Sequence, residues 1–279
     1  MKNNYLWTQL KSRLLLINSS PGTHFNWLFL PGGPGLGSES LTPLTKLLNL
    51  PGSTWSLDLP GDGSNVTNDD SEFFSHWSEA LEEAVSTLEN VILVAHSTGG
   101  MYALSTPSLE KMLTGLVLMD SSPSAKWQEL FMNYVKRNPI PELDNLHKIY
   151  AENPNNEILK KMTLLSTPYL FTESGLQKDI PFLESLPYNF KTCEWSAQHF
   201  DSTYEAKWIP KNIPTLILSG EKDRITPLSL FENHSDFKNS KILIRSIKNA
   251  GHFPWIENPE QVVWAFEEYC KELITTTMN

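Results

Sequence analysis

The sequence predicts an α/β protein, a mostly parallel, doubly wound sheet with a helical segment inserted late in it. Three observations lead there. Short apolar runs without polar alternation recur at Val91–Ala95, Leu116–Met119 and Leu216–Leu218, as strands covered on both faces read. Segments with apolar residues at helical spacing fall between such runs. From Ser121 to about Lys211 the alternation stops, prolines and aromatics take over, and the strand pattern resumes at Pro214. The expected division is residues 1–122 and 211–279 for the sheet-bearing core and 123–210 for the insertion, which suits a chain of 279 residues.

Taken in order, Leu14–Ile17 and Trp27–Leu30 read as an opening antiparallel pair around the turn former Pro21-Gly22. Pro31-Gly-Gly-Pro-Gly-Leu-Gly37 follows, a loop able to bring backbone amides close to a bound group; it lacks the lysine and hydroxyl residue of a nucleotide-binding P-loop. Leu41, Leu44, Leu47 and Leu48 give one face of a helix, with Pro43 in its first turn. Thr54–Asp58 is a strand, and Asp58 at its end reads as structural. Phe73, Trp77, Leu81, Val85 and Leu88 predict a helix with Asp69 as N-cap and Glu72 three residues on; His76 falls on its surface. In the insertion, Trp127, Leu130, Phe131 and Tyr134 keep helical spacing, while the prolines hold helices to short pieces. Lys241–Ile247 is the last strand. Asn258-Pro-Glu-Gln261 then caps a final helix that turns Val262, Phe266, Tyr269 and Leu273 inward.

Composition narrows the function. A formal net charge of -10, from 32 acidic and 22 basic side chains, disfavours nucleic acid or an anionic membrane as partner, since both select a concentrated positive field. Cys193 and Cys270 match no zinc or redox spacing, which fits a reducing compartment, and no other metal or cofactor motif occurs. The polar start and the short first apolar run point to a cytoplasmic protein without a signal peptide or membrane span.

The chemistry concentrates at three strand ends. Val91–Gly100 runs a strand through a tight turn into a helix, with Ser97 at the tip, Ala95 and Gly99 around it, and the Thr98 amide at the helix start, aimed at any oxyanion that forms there. Asp223 follows the strand at 214–219 in Gly-Glu-Lys-Asp, and His252 follows the last strand in Ala-Gly-His. All three fall at the carboxyl edge, where open α/β sheets hold their ligands. His96 should turn sideways into packing, and among the other histidines only His199, in the insertion, draws interest.

With these motifs in the order Ser, Asp, His, the chain resembles the α/β-hydrolase superfamily over essentially its whole length. The resemblance implies an α/β-hydrolase fold whose insertion is a helical cap, Ser97 as nucleophile, His252 as its base and Asp223 as the acid that orients the imidazole. Asp120, also at a strand end, is the competing acid. It also implies that the Gly33 amide joins that of Thr98 in an oxyanion hole. The expected substrate is a small, uncharged, partly apolar carboxylic ester or related acyl compound. Amide cleavage, hydrolysis of a carbon–carbon bond, acyl transfer, and a ligand-sensing protein without turnover remain alternatives on the same framework. The glycine loop resembles that of proline iminopeptidases, but Pro31 stands where those enzymes have histidine and Thr98 where they have tryptophan. Glu173, Glu184, Glu194 and Glu205 are the insertion's candidates for meeting a substrate amino group.

Overall fold

The computed structural model describes residues 5–21, 23–66 and 71–277. Its strands are β1 (Tyr5–Trp7), β2 (Arg13–Ser19), β3 (Asn26–Leu30), β4 (Ser53–Asp58), β5 (Val91–His96), β6 (Leu113–Met119), β7 (Thr215–Gly220) and β8 (Ile242–Ile247), in one sheet of order β1-β2-β4-β3-β5-β6-β7-β8. β2 runs antiparallel to both β1 and β4, and every pairing from β4 to β8 is parallel.

The expected antiparallel pair of β2 and β3 does not form, because β4 lies between them: Trp55 is opposite Leu16 on one side and Leu28 on the other. The burial of the two strands explains the difference. β3 buries every residue after Asn26 and so belongs between two parallel neighbours, whereas β2 leaves its outer end exposed and sits near the edge. Gly22 of the expected turn lies outside the described residues, as do Asp69, the expected N-cap, and the first four residues.

Alternate residues of the central strands feed two cores. On one face Leu28, Leu93, Leu116 and Ile217 pack with Trp77, Leu81 and Ala84; on the other Trp27, Ile92, Val117 and Leu216 pack with Val262, Phe266, Tyr269 and Leu273 of the final helix (Pro259–Thr277). Each of these leucines, isoleucines, valines and the phenylalanine contributes about 1.5–3 kcal/mol by burial. The Asn258 side chain caps that helix, accepting from the Gln261 amide at 3.3 Å, while Gln261 turns away to accept from the Lys248 amide at 2.7 Å. The helix expected from 69 to 88 is two helices, Ser71–Phe74 and Trp77–Ser86, broken at Ser75–His76, with the Phe74 and Trp77 rings edge to face at 6.3 Å.

After β6 come six helices, Lys126–Arg137, Pro141–Glu152, Asn156–Leu165, Thr167–Leu170, Leu176–Glu184 and Phe190–His199. Pro141 and Pro168 stand in first turns, where a missing N–H costs nothing, but Pro181 is carried inside its helix. Among the described residues no helix is long and apolar enough to cross a membrane.

Candidate active site

β5 is buried at every position and delivers the chain into a turn whose tip, Ser97, has φ 50° and ψ -122°. For a residue with a Cβ this conformation costs on the order of 1–3 kcal/mol, and it persists only where the surroundings fix it. Here the Ser97 amide donates to the Met119 carbonyl at 2.8 Å, and the Ser121 hydroxyl donates to the Ser97 carbonyl at 2.8 Å. The glycine loop presses against the turn so closely that a Cβ on Gly32 would lie 2.4 Å from that of Ser97.

Ser97, Asp223 and His252 come together. Ser97 Oγ lies 3.0 Å from His252 Nε2, and His252 Nδ1 lies 3.0 Å from Asp223 Oδ2. All three are nearly sealed, at 6%, 4% and 5% exposure. Asp223 Oδ1 accepts from the amides of Ile225 at 2.8 Å and Thr226 at 3.3 Å, and Thr226 Oγ1 lies 2.8 Å from Oδ2. Burial alone would raise the Asp223 pKa, but His252, the Ile225 amide and the Thr226 hydroxyl outweigh it and hold the carboxyl below its ordinary value. An ionised Asp223 only accepts, so His252 Nδ1 carries the proton and Nε2 is left to accept from the Ser97 hydroxyl. The His252 amide donates to the Leu170 carbonyl at 2.8 Å, which ties the imidazole's backbone to the inserted segment.

Asp120 sits beside this group without entering it. Its Oδ1 accepts from the Gly220 amide at 2.8 Å, and Oδ2 meets no donor among the described residues. Burial, and then the charge of Asp223, push its pKa well above the ordinary carboxylate value, which favours its neutral form. Ligand atoms of Asp120, Asp223 and His252 lie within 4.8 Å of one another, a spacing that could hold a cation; the bonds from His252 and from the amides already engage Asp223. His96 turns away from Ser97 as expected. Its Nε2 lies 3.0 Å from the His252 carbonyl, which can only accept, so the ring is the Nε2–H tautomer. Burial lowers its pKa to about 3, with His252 adding to the effect, and the Trp255 ring stands edge-on at 4.9 Å.

Gly33 and Thr98 flank Ser97 at the floor of a cavity of about 360 Å³. Neither amide has a protein acceptor among the described residues, and as the first residue of its helix Thr98 has no intrahelical one. The family model described as the alpha/beta hydrolase family matches residues 27–265, a span that includes all of these groups. The chain belongs to the alpha/beta hydrolase family. It is a hydrolase, and its relatives are distant. A Mycoplasma genitalium protein named "Putative esterase/lipase 2" is 23% identical over 214 residues, 74% of each chain. The crystal structure of a proline iminopeptidase-related protein from Thermus thermophilus superposes with a TM-score of 0.74 at 19% identity, over 99% of both chains. An alpha/beta fold family hydrolase from Bacillus anthracis gives 0.72 at 17% identity, over 98% of this chain and 99% of that one. At such identities the structural likeness carries the fold.

Above Ser97 the hydrolase's cavity is walled by Trp127, Phe131, Leu159, Met162, Tyr169 and Tyr188, all from the inserted segment. None of Glu173, Glu184, Glu194 and Glu205 lines it, and His199 lies outside it with its ring tilted against that of Trp195 at 5.4 Å. The carboxyl in that wall is Asp201, which sequence reasoning passed over. Its Oδ1 accepts from the Ser196 hydroxyl at 2.9 Å, and burial raises its pKa. Thr226 and Ser121 were missed as well. Thr226 Oγ1 also lies 2.7 Å from the Asp120 carbonyl, and Ser121 bonds the Ser97 carbonyl; no local pattern marks either contact.

Proposed function

We propose that this hydrolase cleaves carboxylic esters through an acyl intermediate on Ser97, with His252 as base and Asp223 as its orienting acid. The observation that carries the reading is the Ser97–His252–Asp223 chain of contacts, 3.0 Å at each step, on the floor of a largely apolar cavity. Ser97 Oγ attacks the ester carbonyl carbon while its proton passes to His252 Nε2. The imidazolium returns that proton to the alcohol oxygen as the C–O bond breaks. Water then loses a proton to the same nitrogen and attacks the acyl carbon, and the acid leaves with Ser97 restored. Negative charge on the carbonyl oxygen is met by the amides of Gly33 and Thr98 in each half-reaction. Residues 123–210 act as a cap that keeps bulk water from the acyl group. An apolar wall favours uncharged acyl groups, because desolvating an unpaired charge there costs several kcal/mol. The esterase/lipase name of the Mycoplasma relative agrees with this substrate class.

Asp201 favours a second reading, an aminopeptidase, since a carboxylate in the wall would attract a substrate's amino group. One comparison separates the two. A fluorophosphonate probe should label Ser97 and lose its target in Ser97→Ala. Specificity constants are then measured for neutral esters and for proline-type amides of matched size with a free amine. Esters are expected to lead; a tenfold lead for the amides, about 1.4 kcal/mol of transition-state preference, would replace the ester reading with the aminopeptidase one.

A further inference from the structure

The glycine loop has an anchor that the triad does not use. Asp62, in the turn after β4, is 4% exposed and aims Oδ1 into the loop, where it accepts from the Gly35 amide at 2.7 Å and the Gly37 amide at 3.3 Å. Both glycines have positive φ, 102° and 70°. Between these bonds the loop closes on itself, the Leu36 amide donating to the Gly33 carbonyl at 3.1 Å. The loop that carries the Gly33 amide is therefore anchored at Gly35 and Gly37 by one carboxyl oxygen, and the Gly37 carbonyl also accepts from the Ser40 amide at 3.0 Å. From the inserted segment, the Asn189 amide donates to the Gly35 carbonyl at 3.0 Å, and its side-chain amide donates to the Gly61 carbonyl at 2.6 Å, bracing the two turns together.

We propose that Asp62 is a positioning residue for the oxyanion loop, fixing the Gly33 amide by binding those of Gly35 and Gly37. The inference rests on the serine-hydrolase reading above. Without such an acceptor two buried amides would be left unpaired, and the loop would have to move to satisfy them. A donor displaced by even a fraction of an ångström from the position of the developing oxyanion loses much of its value in turnover while leaving ground-state binding nearly intact.

The anchor is also titratable. Burial, then the charge of Asp58, push Asp62 up to about 7, with Glu39 adding a little; the Gly35 and Gly37 amides pull the other way. Of the charged groups around it, Arg13 is engaged by Asp58 at 2.7 Å and also lies 3.8 Å from Glu39, and the Tyr102 hydroxyl feels the Asp62 charge. Among the described residues no cation pairs with Asp62 itself. An ionised acceptor makes the stronger bond to an amide, so the loop is held most firmly above neutrality.

The test uses Asp62→Ala and Asp62→Asn with p-nitrophenyl butyrate as substrate and a trifluoromethyl ketone that forms a tetrahedral adduct as inhibitor, each variant first checked for cooperative unfolding. Asp62→Ala is expected to lose about tenfold or more in kcat, with KM within about twofold and inhibitor affinity falling in parallel. For Asp62→Asn, the ratio of wild-type to variant kcat should be about five at pH 8.5 and approach one at pH 5.5, where position 62 is neutral in both; the ratio cancels any pH dependence that the two proteins share. A folded Asp62→Ala with kcat and inhibitor affinity within twofold of wild type overturns the inference. If the alanine variant does not fold, the asparagine ratio decides alone, and a value near one at both pH values overturns it. Ser97→Ala is the control: turnover persisting there removes the triad reading, whereas an inert Ser97→Ala beside an unaffected Asp62→Ala removes only the role of Asp62.

Discussion

The carboxyl edge of the sheet and the helical wall above it are held by different means. At the edge, every residue of β5 is buried, the backbones of Ser97 and His252 are each tied to a neighbouring segment, and the Asp223 carboxyl accepts from two amides. In the wall, helices Lys126–Arg137 and Asn156–Leu165 contain no fully buried residue, yet they supply Trp127, Phe131, Leu159 and Met162 to the cavity. The proposed catalytic group sits on an over-determined frame, and the cavity wall proposed to meet the acyl group sits on helices with no fully buried residue. Substitutions in the wall can therefore change what is bound at small cost in stability, and substitutions at the edge cannot.

The largest effect expected from this contrast is on turnover. Asp223→Asn should lower kcat by about 10²–10⁴-fold, because an uncharged amide no longer holds His252 in the tautomer that accepts from Ser97. Asp120→Asn keeps an acceptor for the Gly220 amide and should change kcat less than about threefold. Steady-state kinetics of the two variants checks the ranking, and its reversal would make Asp120 the acid.

Next comes stability. Leu93→Ala, in the middle of the sheet, should cost about 2–5 kcal/mol in urea unfolding, whereas Phe131→Ala in the wall should cost less than about 2 kcal/mol while shifting the preference between long and short acyl chains several-fold. Equal costs would erase the distinction between the regions.

The smallest effect is in the acid limb of stability. His96 is buried neutral, with its folded pKa lowered to about 3 from 6.5. A base lowered in this way contributes stability that is full above its unfolded pKa and is lost as pH falls from about 6.5 towards 3, by up to about 1.4 kcal/mol per pH unit. Between pH 7 and 5 the unfolding free energy of His96→Asn should fall less than that of wild type. A parallel decline in both proteins would mean that His96 is not what acid attacks at the edge.

The same contrast governs what the sequence made legible. Strands β3 to β8 and the positions of Ser97, Asp223 and His252 could be read because each is marked by its immediate neighbours: an apolar run, then small residues or a turn former. The placement of β4 between β2 and β3 could not, since pairing is decided by which strand needs cover on both sides. Asp201 and Asp62 were equally hidden. Phe200-Asp-Ser and Gly61-Asp-Gly are ordinary loop sequences, and the role of each carboxyl depends on a cavity or on amides that arrive from elsewhere in the chain. The glutamates Glu173, Glu184, Glu194 and Glu205 illustrate the converse, charged residues of the insertion that do not face the cavity.

One feature of the sheet bears on how the molecule is made. Ser97 and the imidazole it contacts are 155 residues apart, and that imidazole follows the last strand. At a translation rate of about 5–20 residues per second, roughly 8–30 seconds separate the synthesis of the two. Contacts of such sequence separation form late, after the loop-closure entropy of the intervening chain has been overcome. The elbow can be complete while its proposed base does not yet exist. On the proposed mechanism, a product stalled before β8 carries a serine without its base, no more nucleophilic than one in water.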